Sequence, residues 1–320
     1  MFVKIKSKND MKKILLSIII ILFLGRVNAQ MLLQNQYLFD PTVQNPAIGA
    51  KFDYPSLKLN SSKKWFNLPN SPQVSYLSYN HTLIKQNMGF NVAISADQYG
   101  SITSNQGKIS YFYFTKLNIK GDFISYGAYA AIARNIFNMP EQMTNDPALT
   151  YENNRISSFK PIFGAGIYYK TKDYAISFNI DNLIPIKNKA QNTSFEPNQK
   201  RSYSLLLETT FENEIQTFGV IPSIFVRVDE KLDRELHINC KFIVKRSIWF
   251  GFSYRDALDF QLLTMHNAGL LIGLKFFRRL NIMYMYEFNV TQTRSILGPN
   301  HYLTIGFDFF SSRKNVPLFF

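Results

Sequence analysis

From residue 56 onward the chain repeats one pattern, apolar residues at every second position. The runs are about 9–11 residues long, the length a tilted strand needs to cross a bilayer. Leu303, Ile305, Phe307 and Phe309 alternate with Thr304, Gly306 and Asp308. Leu280, Ile282, Tyr284, Tyr286 and Phe288 alternate with Asn281, Met283, Met285 and Glu287. Leu236, Ile238, Cys240, Phe242 and Val244 share one side of their segment, while His237, Asn239 and Lys241 begin the other. Successive side chains of a strand point to opposite faces, so each segment has one fatty face and one polar or small face. A soluble sandwich would use shorter strands, about 5–6 residues, with the fatty face inward. A transmembrane barrel turns that face outward to lipid. The 29 Phe and 18 Tyr against 2 Trp agree, because mid-sized rings favour strands.

Fourteen segments carry the pattern: 56–66, 71–81, 88–97, 106–117, 121–135, 159–170, 173–182, 202–211, 217–228, 234–244, 247–257, 266–276, 279–289 and 300–310. An even number suits a closed bacterial barrel. Connections of even rank are short, the tightest being 171–172, 245–246 and 277–278. Most of odd rank are longer: 98–105, 136–158, 183–201, 258–265 and 290–299, with 67–70 and 229–233 as short exceptions. Short periplasmic turns alternating with longer outer loops are the signature of an outer-membrane barrel. Aromatics near strand ends (Tyr168, Tyr169, Tyr174; Trp249, Phe250; Phe276, Phe277) suit an interfacial girdle. The expected fold is therefore all-β: a single 14-stranded antiparallel transmembrane β-barrel of the outer membrane, spanning 56–310 and followed by a tail, 311–320. Leu303, Ile305 and Phe307 should face lipid. Thr304 should face the lumen, where an Arg would be better tolerated than at Ile305.

Residues 1–29 read as a signal peptide. Met11-Lys12-Lys13 precedes an apolar run from Ile14 to Leu24, too short for a membrane-spanning helix, and Val27-Asn28-Ala29 offers a cleavage site before Gln30. Removal takes six basic residues and one acidic one, lowering the net charge from +14 to +9. Export argues against a nucleic-acid partner, and basic residues at strand ends suit lipid phosphates and acidic partners instead. The single cysteine, Cys240, excludes an intrachain disulfide and a thiolate zinc cage. The four histidines, His81, His237, His266 and His301, sit in no nucleophile motif, and no P-loop or dinucleotide glycine fingerprint occurs. The chain reads as no enzyme, with no cofactor and no metal.

The stretch after the signal is more specific. Gln36-Tyr37-Leu38-Phe39-Asp40-Pro41, followed by Asn45-Pro46-Ala47, resembles the opening of the PorP/SprF family of the type IX secretion and gliding machinery of Bacteroidetes. Asp97-Gln98-Tyr99-Gly100-Ser101-Ile102-Thr103, the stretch 163–183, Trp249 to Arg255, and Asn300-His301-Tyr302-Leu303 resemble later parts of the same family. Asp40 stands where the family usually has Asn, Asp181 where Pro is common and Tyr302 where Glu is common. Ser62-Lys63-Lys64-Trp65 keeps the Trp of an early motif without its Arg and Gln. The resemblance implies a non-enzymatic component that supports export and holds a secreted adhesin at the surface. Its implied partners are the type IX translocon, periplasmic ring components and the C-terminal domain of the adhesin, besides outer-membrane lipid. A channel or transporter for small solutes is the alternative.

Two sets of residues are candidates for partner binding. The first lies in the segment 30–55, a periplasmic segment or plug. Tyr37, Leu38 and Phe39 need burial, and Asn45-Pro46 sets a turn because proline fixes its own φ and pushes the preceding residue extended. A docking element and a simple lead-in to the first strand both fit. The second set, Phe137, Tyr151, Arg155 and Phe195, lies in the long loops 136–158 and 183–201, long enough to carry function. His237, Asn239, Lys241 and Arg255 either line a conduction path or form a network that fills the interior.

Overall fold

A computed structural model describes residues 35–100, 102–118, 121–138, 155–185, 200–213, 217–230, 234–245, 247–257, 266–277, 279–290 and 297–309. The expected signal peptide and the tail 311–320 lie outside these residues. Fifteen strand segments form one antiparallel sheet closed on itself. They are β1 Ser56–Lys63, β2 Gln73–Leu83, β3 Met88–Tyr99, β4 Ile102–Lys116, β5 Phe123–Asn138, β6 Arg155–Lys170, β7 Tyr174–Asp181 and β8 Ser202–Thr209. There follow β9 Phe211–Glu212, β10 Phe218–Asp229, β11 Arg234–Val244, β12 Ile248–Ala257, β13 His266–Phe276, β14 Leu280–Asn289 and β15 Asn300–Asp308. Segments β8 and β9 pair with β10 in one continuous register. They are one strand interrupted at Thr210, and the interruption falls by Pro222 of β10, which has no N–H to donate. Counted this way, the barrel has the expected 14 strands. It closes where β1 pairs with β15, from Ser56↔Asp308 to Lys63↔His301. No helix of the described residues is long and apolar enough to cross a membrane.

The period of two sorts the faces as expected. Ile305 is 42% exposed and Thr304, its neighbour, 0%. Leu303 and Phe307 are exposed with Ile305, as are Ile94, Ile109, Ile132, Ile238 and Leu270 around the wall. Tyr168 and Trp249 depart from the girdle expectation. Both are buried and face inward, whereas Tyr174, Phe250 and Phe276 are exposed. Adjacent strand residues point to opposite faces, so an aromatic doublet places only one ring in lipid.

The connections sort by rank with two corrections. The expected 98–105 loop is replaced by pairing, because β3 and β4 pair out to Tyr99↔Ile102, with Gly100 beyond them at φ +56°. The β1–β2 connection runs over 64–72, longer than expected. Strands β5 and β6 have 16 residues each and pair as far as Asn138↔Arg155. At about 3.3 Å per residue this hairpin stands well above an apolar band of about 25 Å. Phe137 and Arg155 are therefore strand residues on the extracellular side, not loop residues.

Candidate functional site

The lumen is occupied. Residues 35–55 run inside it with three short 3-10 helices, Asn35–Leu38, Pro41–Val43 and Pro46–Lys51. Gln36 donates to Ser62 Oγ near the extracellular end of β1 (3.4 Å), and Gly49 O accepts from Thr82 Oγ1 near the periplasmic end of β2 (3.1 Å). The segment thus descends from the outer half of the barrel to its periplasmic rim, where it turns into β1. Prolines open the second and third of these helices, as a fixed φ favours. Asn45 takes the extended backbone required before Pro46 (φ −134°, ψ 118°), and its Oδ1 accepts from Ala47 N at 2.9 Å.

Each candidate residue in this segment grips the wall. Tyr37 stacks on Phe225 with ring centroids 4.5 Å apart. Its hydroxyl accepts from Asn239 Nδ2 at 3.0 Å and meets His237 Nδ1 at 3.1 Å. Phe39 is fully buried against Trp249, with centroids 5.9 Å apart. Asn45 Nδ2 donates to Ser177 Oγ (2.8 Å), Phe178 O (3.1 Å) and Ile167 O (3.2 Å). Pro46 and Ala47 lie against β5 so closely that a Cβ on Gly127 would meet Ala47 N at 2.6 Å. A Cβ on Gly166 would overlap the Asn45 amide. The wall is bare of side chains where the backbone of the segment must approach it.

Charges complete the seat. Asp40, 1% exposed, pairs with Lys58 Nζ at 3.3 Å and accepts from Thr42 (2.7 Å) and Ser78. Lys58 also donates to Phe39 O at 3.2 Å, and its ammonium lies 4.7 Å from the centre of the Phe52 ring. Burial alone would raise the pKa of Asp40. The Lys58 charge and the two hydroxyls override it and hold the carboxyl below its ordinary range. Lys108 donates to Val43 O at 2.8 Å, and Lys51 pairs with Glu208 at 3.1 Å.

Sequence reasoning singled out neither the Lys58–Asp40 pair nor the glycines. The available signal was a lysine on the polar face of a lipid-spanning strand, where an ammonium needs a partner. Of the expected interior set, His237 and Asn239 hold Tyr37, and Arg255 joins a wall network. Arg255 reaches Glu287 Oε2 at 3.4 Å, which also accepts from Asn300 (2.7 Å) and Tyr302 (2.8 Å). Lys241 instead borders a cavity of about 20 Å³ between the segment and the wall. Among the described residues no group of histidine, cysteine or carboxylate side chains could hold a metal. Tyr151 and Phe195 lie outside the described residues, and the side chains of Phe137 and Arg155 are not described.

The family described as type IX secretion system membrane protein PorP/SprF matches residues 27–307. This chain belongs to it. The match takes in the lumenal segment together with all but the last strand residue of the barrel of this PorP/SprF protein. Among curated proteins none matches. Of solved structures, the CymD monoaromatic hydrocarbon channel is 11% identical with a TM-score of 0.53, over 89% of this chain and 95% of its own. The TodX deltaS2S3 mutant monoaromatic hydrocarbon channel is 12% identical with a TM-score of 0.52, over 85% and 92%. At such identity the likeness is one of fold, an outer-membrane barrel. This PorP/SprF protein is an outer-membrane component of the type IX secretion system.

Proposed function

We propose that this PorP/SprF barrel is a plugged, non-enzymatic support of the type IX machinery rather than a conduit for solutes. It assists export of adhesin-type cargo and holds that cargo at the cell surface, as gliding requires. The observation that carries this reading is the occupied lumen: residues 35–55 bond to inner faces around the ring. The barrel then offers partners its two ends. Its periplasmic end, where the segment turns into β1, meets translocon and ring components. Its outer connections, with Tyr151 and Phe195 and the nearby strand residues Phe137 and Arg155, meet the C-terminal domain of the adhesin, since binding residues are commonly carried on loops held by a rigid scaffold.

Two deletions test the two ends separately. Removing 31–47 should leave a heat-modifiable, assembled barrel that fails in secretion, and wild-type export would refute the role of the segment. Shortening 139–154 and 186–199 should keep the barrel and release the adhesin into the medium. Adhesin retained on cells at its normal level would show that these connections do not hold it. The small-solute channel remains the rival reading, and a steady, large conductance from pure wild-type protein would favour it.

A further inference from the structure

The wall of the barrel is not equally tall all round. Strand β6 pairs with β5 along its whole length, from Asn138↔Arg155 to Phe123↔Lys170. With β7 it pairs only from Ala165↔Ile180 to Lys170↔Ala175. Two features end that second ladder. Asn182 turns the chain aside in the left-handed region, at φ +56°. Pro161 has no N–H with which to continue it. One last bond runs from Leu183 N to Phe163 O at 2.8 Å, and Leu183 O then accepts from Arg201 Nη2, just before β8, at 2.8 Å.

The outer half of β6 is therefore a bare edge. The N–H and C=O of a strand residue point the same way, and that direction alternates along the strand. Phe163 O faces β7, so Pro161, Phe159 and Ser157 also turn their backbone groups away from β5. Among the described residues nothing pairs with those of Phe159 and Ser157. Residues 160–170 already supply the length of about 9–11 that crosses a bilayer, which puts this edge on the extracellular side of the lipid. Water can hydrate open N–H groups there, and Pro161, at the border, has none to leave unpaired in lipid.

The side chains beside the edge invite contact. Phe159 is 62% exposed. Arg134 lies directly across from it on β5, exposed, with its guanidinium carbon 5.6 Å from the centre of the Phe159 ring. It has no ion-pair partner among the described residues. An open backbone edge of this kind is a template for one more strand. We infer that cargo is recognised here by strand addition: an extended segment of the secreted adhesin pairs with β6 over 157–161, with an apolar side chain beside Phe159 and an acidic one reaching Arg134. The inference rests on the reading that the outer end holds cargo, and it names the element that does so. The added strand bonds both backbone groups of Ser157 and of Phe159 and donates to Pro161 O. Main-chain bonds supply the affinity, and Phe159 and Arg134 select the side chains.

Whole cells carrying the full-length barrel test it. Ser157→Pro removes one edge N–H and no bond of the β5 ladder, and Pro161 shows that β6 accepts proline at this spacing. The barrel should stay heat-modifiable, and cell-bound adhesin should fall about tenfold, the effect of leaving one partner carbonyl unsatisfied. A benzophenone side chain in place of Phe159 should, on irradiation, give a crosslinked product that contains both the barrel and the adhesin. Should Ser157→Pro fail to assemble, the crosslink decides. A product within the chain alone would show that its own outer connection covers the edge, and a product of two barrels would show self-pairing. Either of these, or no product, overturns the inference. Adhesin held normally by Ser157→Pro but released by shortening 139–154 and 186–199 would overturn it and leave cargo holding at the outer end intact. Adhesin held normally by both variants would overturn both.

Discussion

The outer and inner faces of this barrel use the same strands under opposite rules. Outside, Leu303, Ile305 and Phe307 need only be apolar, because lipid tails conform to whatever shape is offered. Inside, Tyr302, Thr304 and Asp308 are each at most 1% exposed and meet specific partners: Tyr302 bonds Glu287, Thr304 accepts from Asn60 and Asp308 pairs with Lys275 at 3.0 Å. One face is set by composition, the other by geometry. Substitutions on the outside should therefore be read by polarity, and those on the inside by fit and by pairing.

The largest effect is expected inside. Asp40→Ala strands the buried Lys58 ammonium and should cost about 3–5 kcal/mol of the seating of the segment. Limited proteolysis of residues 35–55 in the folded barrel reads this directly, and protection equal to wild type would show that the pair does not hold the segment. The double change Asp40→Leu with Lys58→Met should restore much of the protection. The folded-state pKa of Asp40 lies below its unfolded value. Its contribution is therefore complete above the ordinary aspartate value of about 3.9 and is lost as pH falls below it. Protease sensitivity of the wild type should rise in that acidic window, and that of Asp40→Leu/Lys58→Met should not.

On the outer face, Ile305→Arg near the midplane should cost about 2–4 kcal/mol in insertion and stability. Thr304 faces inward as expected, but it is fully buried beside Asn60, so an Arg there meets packed side chains instead of open space. Thr304→Val is the sharper inner counterpart. It leaves the Asn60 amide without its acceptor at about 1–3 kcal/mol, while Ile305→Val costs less. Equal losses for the two valine variants, read by urea unfolding, would erase the distinction between faces.

Glycine offers a cleaner contrast. Gly127→Val pushes a side chain into Ala47 of the segment and should cost about 1–3 kcal/mol, whereas Gly107→Val projects where a Cβ meets nothing within 4 Å. Unfolding midpoints of the two variants should separate clearly. The smallest effect is expected from Tyr37→Phe, about 1 kcal/mol, because the ring still stacks on Phe225 while Asn239 and His237 lose the hydroxyl. A Tyr37→Phe loss as large as that of Asp40→Ala would mean that hydrogen bonds, not the ion pair, seat the segment.

What the sequence made legible follows the same division. The outer face announces itself, because alternation at membrane length leaves few alternatives, and all 14 segments lie within a few residues of the observed strands. Errors fall where the lipid constraint ends. The extracellular ends of β4, β5 and β6 continue as polar pairing such as Gln98↔Thr103, which carries no period-two apolar signal. The inner face was legible only as types of residue. That Tyr37 and Phe39 needed burial could be read from the chain; that Phe225 and Trp249 would receive them could not, since the partners are about 200 residues away. Departures from the usual family motifs make sense only in three dimensions: Asp40 faces Lys58, Asp181 accepts from Tyr129 at 2.7 Å, and Tyr302 reaches Glu287.

The central claim is that residues 35–55 close the lumen. Single-channel recording in planar bilayers tests it most directly, comparing the wild-type barrel with the variant lacking 31–47. The account predicts no steady porin-type conductance from wild type and a stable open level from the deletion variant. A large, steady conductance from wild type, unchanged by the deletion, would contradict it.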